Sequence, residues 1–145
     1  MHAVHAVVQA VPVPAREVPR SARGAAVASL LVGGLPALML VLVGMMKLVK
    51  PEPVIKATVE LGYPQTTIIG MGIAVLVSAV LYLIPGAAVL GAILLTGYLG
   101  GAVASHVRAG HEPFNIAFPV IFGVLLWLGL YLRDRRLRVL VPWRR

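Results

Sequence analysis

Charged and apolar positions are segregated along this chain into long blocks. Residues 24–46 carry no formal charge over 23 positions. About 20 helical residues rising ~1.5 Å each cross a hydrocarbon core of ~30 Å, so this block predicts a membrane span. Residues 61–105 form a second uncharged block of 45 residues, too long for one span and long enough for two. Its strong break is Pro85-Gly86. Proline disfavours helix in the residue before it, and glycine permits a tight turn. The block therefore predicts spans over 66–84 and 87–106. A last uncharged block predicts a fourth span over 113–132, with Pro113 suited to a first helical turn, where its missing N–H costs nothing. The blocks do not alternate apolar and polar residues as barrel strands do. Pro36 and Pro119 fall inside spans one and four and predict mild kinks, because neighbouring helices can satisfy the freed carbonyls.

The expected fold is an all-α integral membrane four-helix bundle. A mobile N-terminal tail occupies 1–23, the membrane domain 24–132, and a basic tail 133–145. Residues 1–23 do not read as a cleavable signal, because no basic residue precedes the apolar stretch and Pro12 interrupts it.

Composition fits this reading. Of 145 residues, 59% are hydrophobic and 12% charged, against about 25% charged in a soluble domain. Mean hydropathy is +0.93. The absence of cysteine excludes a disulfide scaffold, a thiolate metal site and dithiol redox chemistry. The net charge of +8 does not form an aromatic-interleaved patch, so it indicates anionic lipid headgroups rather than nucleic acid. Nine basic residues lie in the two tails (Arg16, Arg20, Arg23, Arg133, Arg135, Arg136, Arg138, Arg144, Arg145), against Lys47, Lys50, Lys56 and Arg108 on the other side. That bias places both termini in the cytoplasm. The expected location is the cell membrane, multi-pass, of the bacterial inner-membrane type.

Lipid is as apolar as leucine, so the spans must associate through close van der Waals approach of small residues. Gly97 and Gly101 have the small-xxx-small spacing on the third span, and Gly70, Ala74 and Ser78 repeat every four residues on the second. These stripes are expected to face each other as a packed hairpin. Phe114, Phe118 and Phe122 form a ridge on the last span, and Trp127 and Tyr131 suit an interfacial belt.

No ionisable residue lies in the middle of any span, which gives little support to a pump or channel. Polar candidates gather at the outer edge. Lys47 and Glu60 form a candidate pair across the first outer loop. Tyr98, Ser105, His106 and Arg108 form a candidate pocket for a quinone or a lipid headgroup, with headgroup anchoring as the plainer alternative. A bis-histidine haem needs two histidines at depth, and only His106 approaches the membrane. A metal site would have to recruit His2, His5 or a partner chain, so no metal is assigned. No catalytic set emerges.

The segments Leu81-Tyr82-Leu83-Ile84-Pro85 and 88–108 (AVLGAILLTGYLGGAVASHVR), with Gly44-x-x-Lys47, Leu61-Gly62-Tyr63-Pro64 and the block from Leu126 to Arg133, resemble the DoxX-like family over about residues 34–142. The resemblance implies a small four-helix membrane protein. The family takes its name from a subunit of a thiosulfate:quinone oxidoreductase, and some members are linked to membrane redox assemblies. The family usually has a glutamate early in the second span, where this chain has Val75, and often an arginine after the turn proline, where it has Gly86. The leading expectation is an accessory membrane subunit that binds a lipid-like molecule, with quinone as a possible cofactor. The alternatives are a subunit of a quinone-linked oxidoreductase and a purely structural scaffold. A redox subunit or a second copy of the chain are the candidate partners.

Overall fold

The computed structural model describes residues 24, 27–134 and 137. The expected N-terminal tail, 1–23, and most of the basic tail lie outside the described residues. Among the described residues there are five helices and no strand: α1 Val27–Val49, α2 Glu52–Glu60, α3 Thr67–Leu83, α4 Ala88–Arg108 and α5 Pro113–Arg133. Helices α1, α4 and α5 are long and apolar enough to cross a membrane. Helix α3 is apolar but shorter, at 17 residues.

The packing order follows the chain and then closes on itself. Helix α1 packs on α3, α3 on α4, α4 on α5, and α5 returns to the N-terminal part of α1. The core is formed by small and branched residues, among them Ala37, Leu40, Val75, Ala79, Ala92, Leu95, Leu126 and Leu130, with Tyr82 at its centre. Large apolar side chains such as Leu42, Ile73, Val77, Leu90, Ile93 and Val124 point outward and remain exposed. A water-soluble fold would leave them in water, whereas a lipid environment accepts them at no cost.

Two features of α1 and the following segment were not legible beforehand. Pro36 does not act as a bare kink. Residues Leu30–Gly34 form a π-helical stretch, and the α-helical part resumes at Leu35 with Pro36 in its first turn. A proline has no N–H for the carbonyl four residues back, and its ring crowds that group; the wider π turn removes the conflict. Pro119 is buried inside α5, which continues through it to Arg133. The second feature is α2 itself. Pro51 is extended, Pro53 sits in the first turn where it needs no N–H, and Glu52 faces the positive helix start. This short helix fills what the pattern left as loop.

The close helix contacts run through glycines other than those the spacing indicated. A Cβ on Gly33 would strike the Tyr82 hydroxyl and lie 2.9 Å from Gly129 Cα. A Cβ on Gly91 would strike the Tyr82 backbone, 2.5 Å from its Cα. Tyr82, on α3, thus sits where α1, α3, α4 and α5 meet. Its hydroxyl donates to the Leu126 carbonyl at 2.8 Å, and Arg133 donates to its backbone carbonyl at 2.9 Å while lying over its ring.

Candidate functional site

Helices α3 and α4 touch near the Pro85-Gly86 turn, where Gly91 meets Leu81 and Tyr82. Toward the opposite end they leave space between them. A Cβ built on Gly70, Gly97 or Gly101 would meet no heavy atom within 4 Å. The packed seam expected from Gly97, Gly101, Gly70 and Ala74 is therefore corrected. These residues do face one another, but across a cavity of about 370 Å³, and their missing side chains leave it open. The short turn brings the helices close at its own end, and the small residues nearer the other end border the hollow. Ser78 differs from the rest of its stripe: it is buried and donates to the Ala74 carbonyl at 2.6 Å.

The cavity is walled by α1, α2, the 61–66 loop, α3 and α4, and its polar lining consists of Lys47, Thr58, Tyr63, Tyr98 and Ser105. From Ser105 down to Gly97 it extends eight residues along α4, about 12 Å. Its volume falls within the ~300–1,000 Å³ of ligand pockets.

Each polar group has a determined role. The Thr58 hydroxyl donates to the Val54 carbonyl at 2.7 Å, so it accepts from the Lys47 ammonium at 3.4 Å. Lys47 keeps two of its three donors for the cavity. Ser105 donates its single proton to the Gly101 carbonyl at 2.7 Å. The 2.7 Å contact with Tyr63 is therefore donated by the Tyr63 hydroxyl, whose oxygen remains an acceptor. Tyr98 is largely packed against the core, yet its hydroxyl has no hydrogen-bond partner among the described residues and belongs to the cavity lining. The wall thus offers an ammonium, a phenol donor and a phenol acceptor around a hollow with apolar flanks.

Of the expected pocket, Tyr98 and Ser105 line the cavity and His106 and Arg108 do not. Arg108 works from behind. Its guanidinium donates to the Leu61 carbonyl at 2.7 Å and lies 5.7 Å from the Tyr63 ring centroid. Gly62 turns the chain with φ of 84°, and a Cβ there would come 3.0 Å from Arg108 Nη2. Arg108 therefore fixes the loop that presents Tyr63. His106 bonds to His111, Nδ1 to Nδ1 at 2.9 Å, closing the α4–α5 turn away from the cavity. Among the described residues no three His, Asp or Glu side chains cluster as metal ligands. The expected Lys47–Glu60 pair is also corrected: no ion pair joins them among the described residues, Lys47 donates to Thr58, and Glu60 is exposed on α2. Lys47, Tyr63 and Thr58 are the polar lining residues that sequence reasoning did not place in the pocket, Lys47 having been expected only in the pair with Glu60. Tyr63 had a signal in the Leu61-Gly62-Tyr63-Pro64 block, whereas Thr58 had none.

A sequence profile of the DoxX-like family matches residues 21–129, three quarters of the chain. The chain belongs to the DoxX-like family. The match begins earlier and ends earlier than the resemblance suggested, taking in the N-terminal part of α1 that packs on α5. No curated protein and no solved structure matches the chain. Val75, where the family resemblance led to the expectation of a glutamate, is fully buried. It lies against Gly44, whose Cβ would sit 3.0 Å from the valine methyl. In this member that position serves helix packing.

Proposed function

We propose that this DoxX-like protein crosses the cell membrane four times with both termini in the cytoplasm, and that its cavity binds the polar ring of a lipid-soluble quinone. The apolar outer surface supports membrane residence. Helix α3, about 25 Å long at 17 residues, is slightly short for a ~30 Å core, a mismatch that bilayers accommodate by local thinning. The bias of tail arginines supports the orientation. A reporter active only outside the cytoplasm is expected to be silent at the C-terminus and active when inserted at Gly110.

The observation that carries the ligand reading is the cavity wall itself. Lys47 and Tyr98 hold unspent donors that suit quinone carbonyls, and the Tyr63 oxygen can accept from the hydroxyl of the reduced form. The exposed glycines Gly70, Gly97 and Gly101 leave a lateral opening for an isoprenoid tail. The ligand chemistry needs only binding, so the chain acts as an accessory subunit, with any electron transfer lying on a partner.

The test is titration of the detergent-purified protein with a short-tailed benzoquinone, alongside mass spectrometry of lipid retained from the native membrane. Gly97→Leu and Gly101→Leu fill the cavity without meeting other atoms at Cβ, and binding is expected to be lost with the fold intact. Lys47→Met removes a charged donor, worth about 1.5–3 kcal/mol, and is expected to weaken binding roughly tenfold or more. Unsaturable binding by the wild-type protein would refute the reading. A stoichiometric visible chromophore would favour the oxidoreductase-subunit alternative.

A further inference from the structure

Helix α4 carries glycines on two faces. Gly97 and Gly101 border the cavity described above, whereas Gly100 faces the other way, into a groove between α4 and α5. This groove encloses about 650 Å³ and is bounded by Thr96, Gly100, Val103, Pro119, Gly123 and Trp127. A Cβ on Gly100 would meet nothing within 4 Å, and one on Gly123 would meet only Leu99 Cδ1, at 3.8 Å. The groove thus exists because two side chains are missing.

Its length and chemistry match one kind of occupant. From Pro119 to Tyr131 it follows α5 for twelve residues, about 18 Å, close to the ~15 Å depth of one leaflet's hydrocarbon. The polar groups of Trp127 and Thr96 are consumed within the wall: Trp127 donates to the Thr96 hydroxyl at 2.9 Å, which donates to the Ala92 carbonyl at 2.8 Å. What faces the hollow is therefore hydrocarbon. At the chain-termini end stand Trp127 and Tyr131, residue types that settle at headgroup level. There Leu137 also borders a second hollow lined by Arg133 and Asp134. Arg133 is exposed and spends one nitrogen on the Tyr82 carbonyl, leaving further guanidinium donors. Residues 133–145 hold six arginines against one aspartate, a charge complementary to phosphate.

We propose that this groove binds one acyl chain of an anionic phospholipid from the leaflet on the side of the chain termini, with the phosphate beside Arg133. The site is separate from the quinone cavity and does not depend on it.

Trp127 supplies the probe. In a Trp143→Phe background it is the remaining tryptophan of the two in the chain. The full chain is reconstituted in phosphatidylcholine vesicles containing equal fractions of either brominated phosphatidylglycerol or brominated phosphatidylcholine, whose bromines quench tryptophan on contact. Phosphatidylglycerol is expected to be preferred about fivefold, the contribution of one basic residue at an anionic surface. Gly100→Leu should abolish that preference, and Arg133→Gln should reduce it while leaving phosphatidylcholine quenching unchanged. Gly97→Leu, on the opposite face, should leave it intact. Equal quenching in the wild-type protein, or a preference that survives Gly100→Leu, would overturn the proposal. So would weak quenching by both lipids, the result expected if a second copy covers the groove. Gly100→Leu decides the matter even if Arg133→Gln fails to fold.

Discussion

Alanine at Gly91 and alanine at Gly97 are the same change on the same helix, six residues apart, with opposite expected outcomes. At Gly91 the new methyl would lie 2.5 Å from Tyr82 Cα and 2.8 Å from the Leu81 carbonyl carbon. These are backbone atoms in the last turn of α3 and cannot rotate away. Ordinary contact lies at 3.4–4 Å, so α4 must retreat by about 1 Å. That retreat opens the core beside Ala88, Ala92 and Leu95, which are buried on the same helix. Overpacking of this kind costs about 1–3 kcal/mol, partly offset by the roughly 0.5–1 kcal/mol that alanine gains over glycine in a helix. At Gly97 the methyl meets nothing, so only the helix-propensity gain remains. The two variants should differ by about 2 kcal/mol in unfolding free energy. Reversible unfolding of both in mixed micelles, followed by far-ultraviolet circular dichroism, measures this difference. Equal stabilities would refute the placement of the α3–α4 contact, and a destabilised Gly97→Ala would refute the cavity.

Three further outcomes follow from the hydrogen bonds. Tyr82→Phe removes the buried donor to the Leu126 carbonyl and is expected to lower stability by about 0.5–1.5 kcal/mol in the same unfolding assay. Ser105→Ala releases the Tyr63 hydroxyl, so amide hydrogen exchange should accelerate across residues 61–66 while the α5 amides stay unchanged. His106→Ala breaks a contact outside the cavity, and quinone binding is expected to stay within about twofold of wild type in the titration; a larger loss would place His106 in the site.

Much of the fold was legible because membrane spans obey a length rule. The uncharged blocks located α1, α3, α4 and α5 to within a few residues of their ends, and α1, α4 and α5 have the length and apolarity of membrane spans, from which a hydrocarbon core excludes charge. The site was legible only in part. Tyr98 and Ser105 stood out as polar residues at a span end, but helical spacing cannot tell whether a small residue lets another helix approach or leaves a hollow. Gly91 and Gly97 read alike as sequence; the Pro85-Gly86 turn presses one against Tyr82 and leaves the other open. Thr58 sits among other exposed-looking polar residues, and only the formation of α2 carries it beneath Lys47.

Taken alone, the sequence determined the environment, the helical class and the family, because composition and block length act on each segment separately. Tertiary structure decided which face of each helix touches another, since that depends on the angle at which distant segments meet. It moved Lys47 from Glu60 to Thr58, set Arg108 behind Tyr63 instead of in the pocket, and divided the glycines of α4 between a packed contact and two hollows.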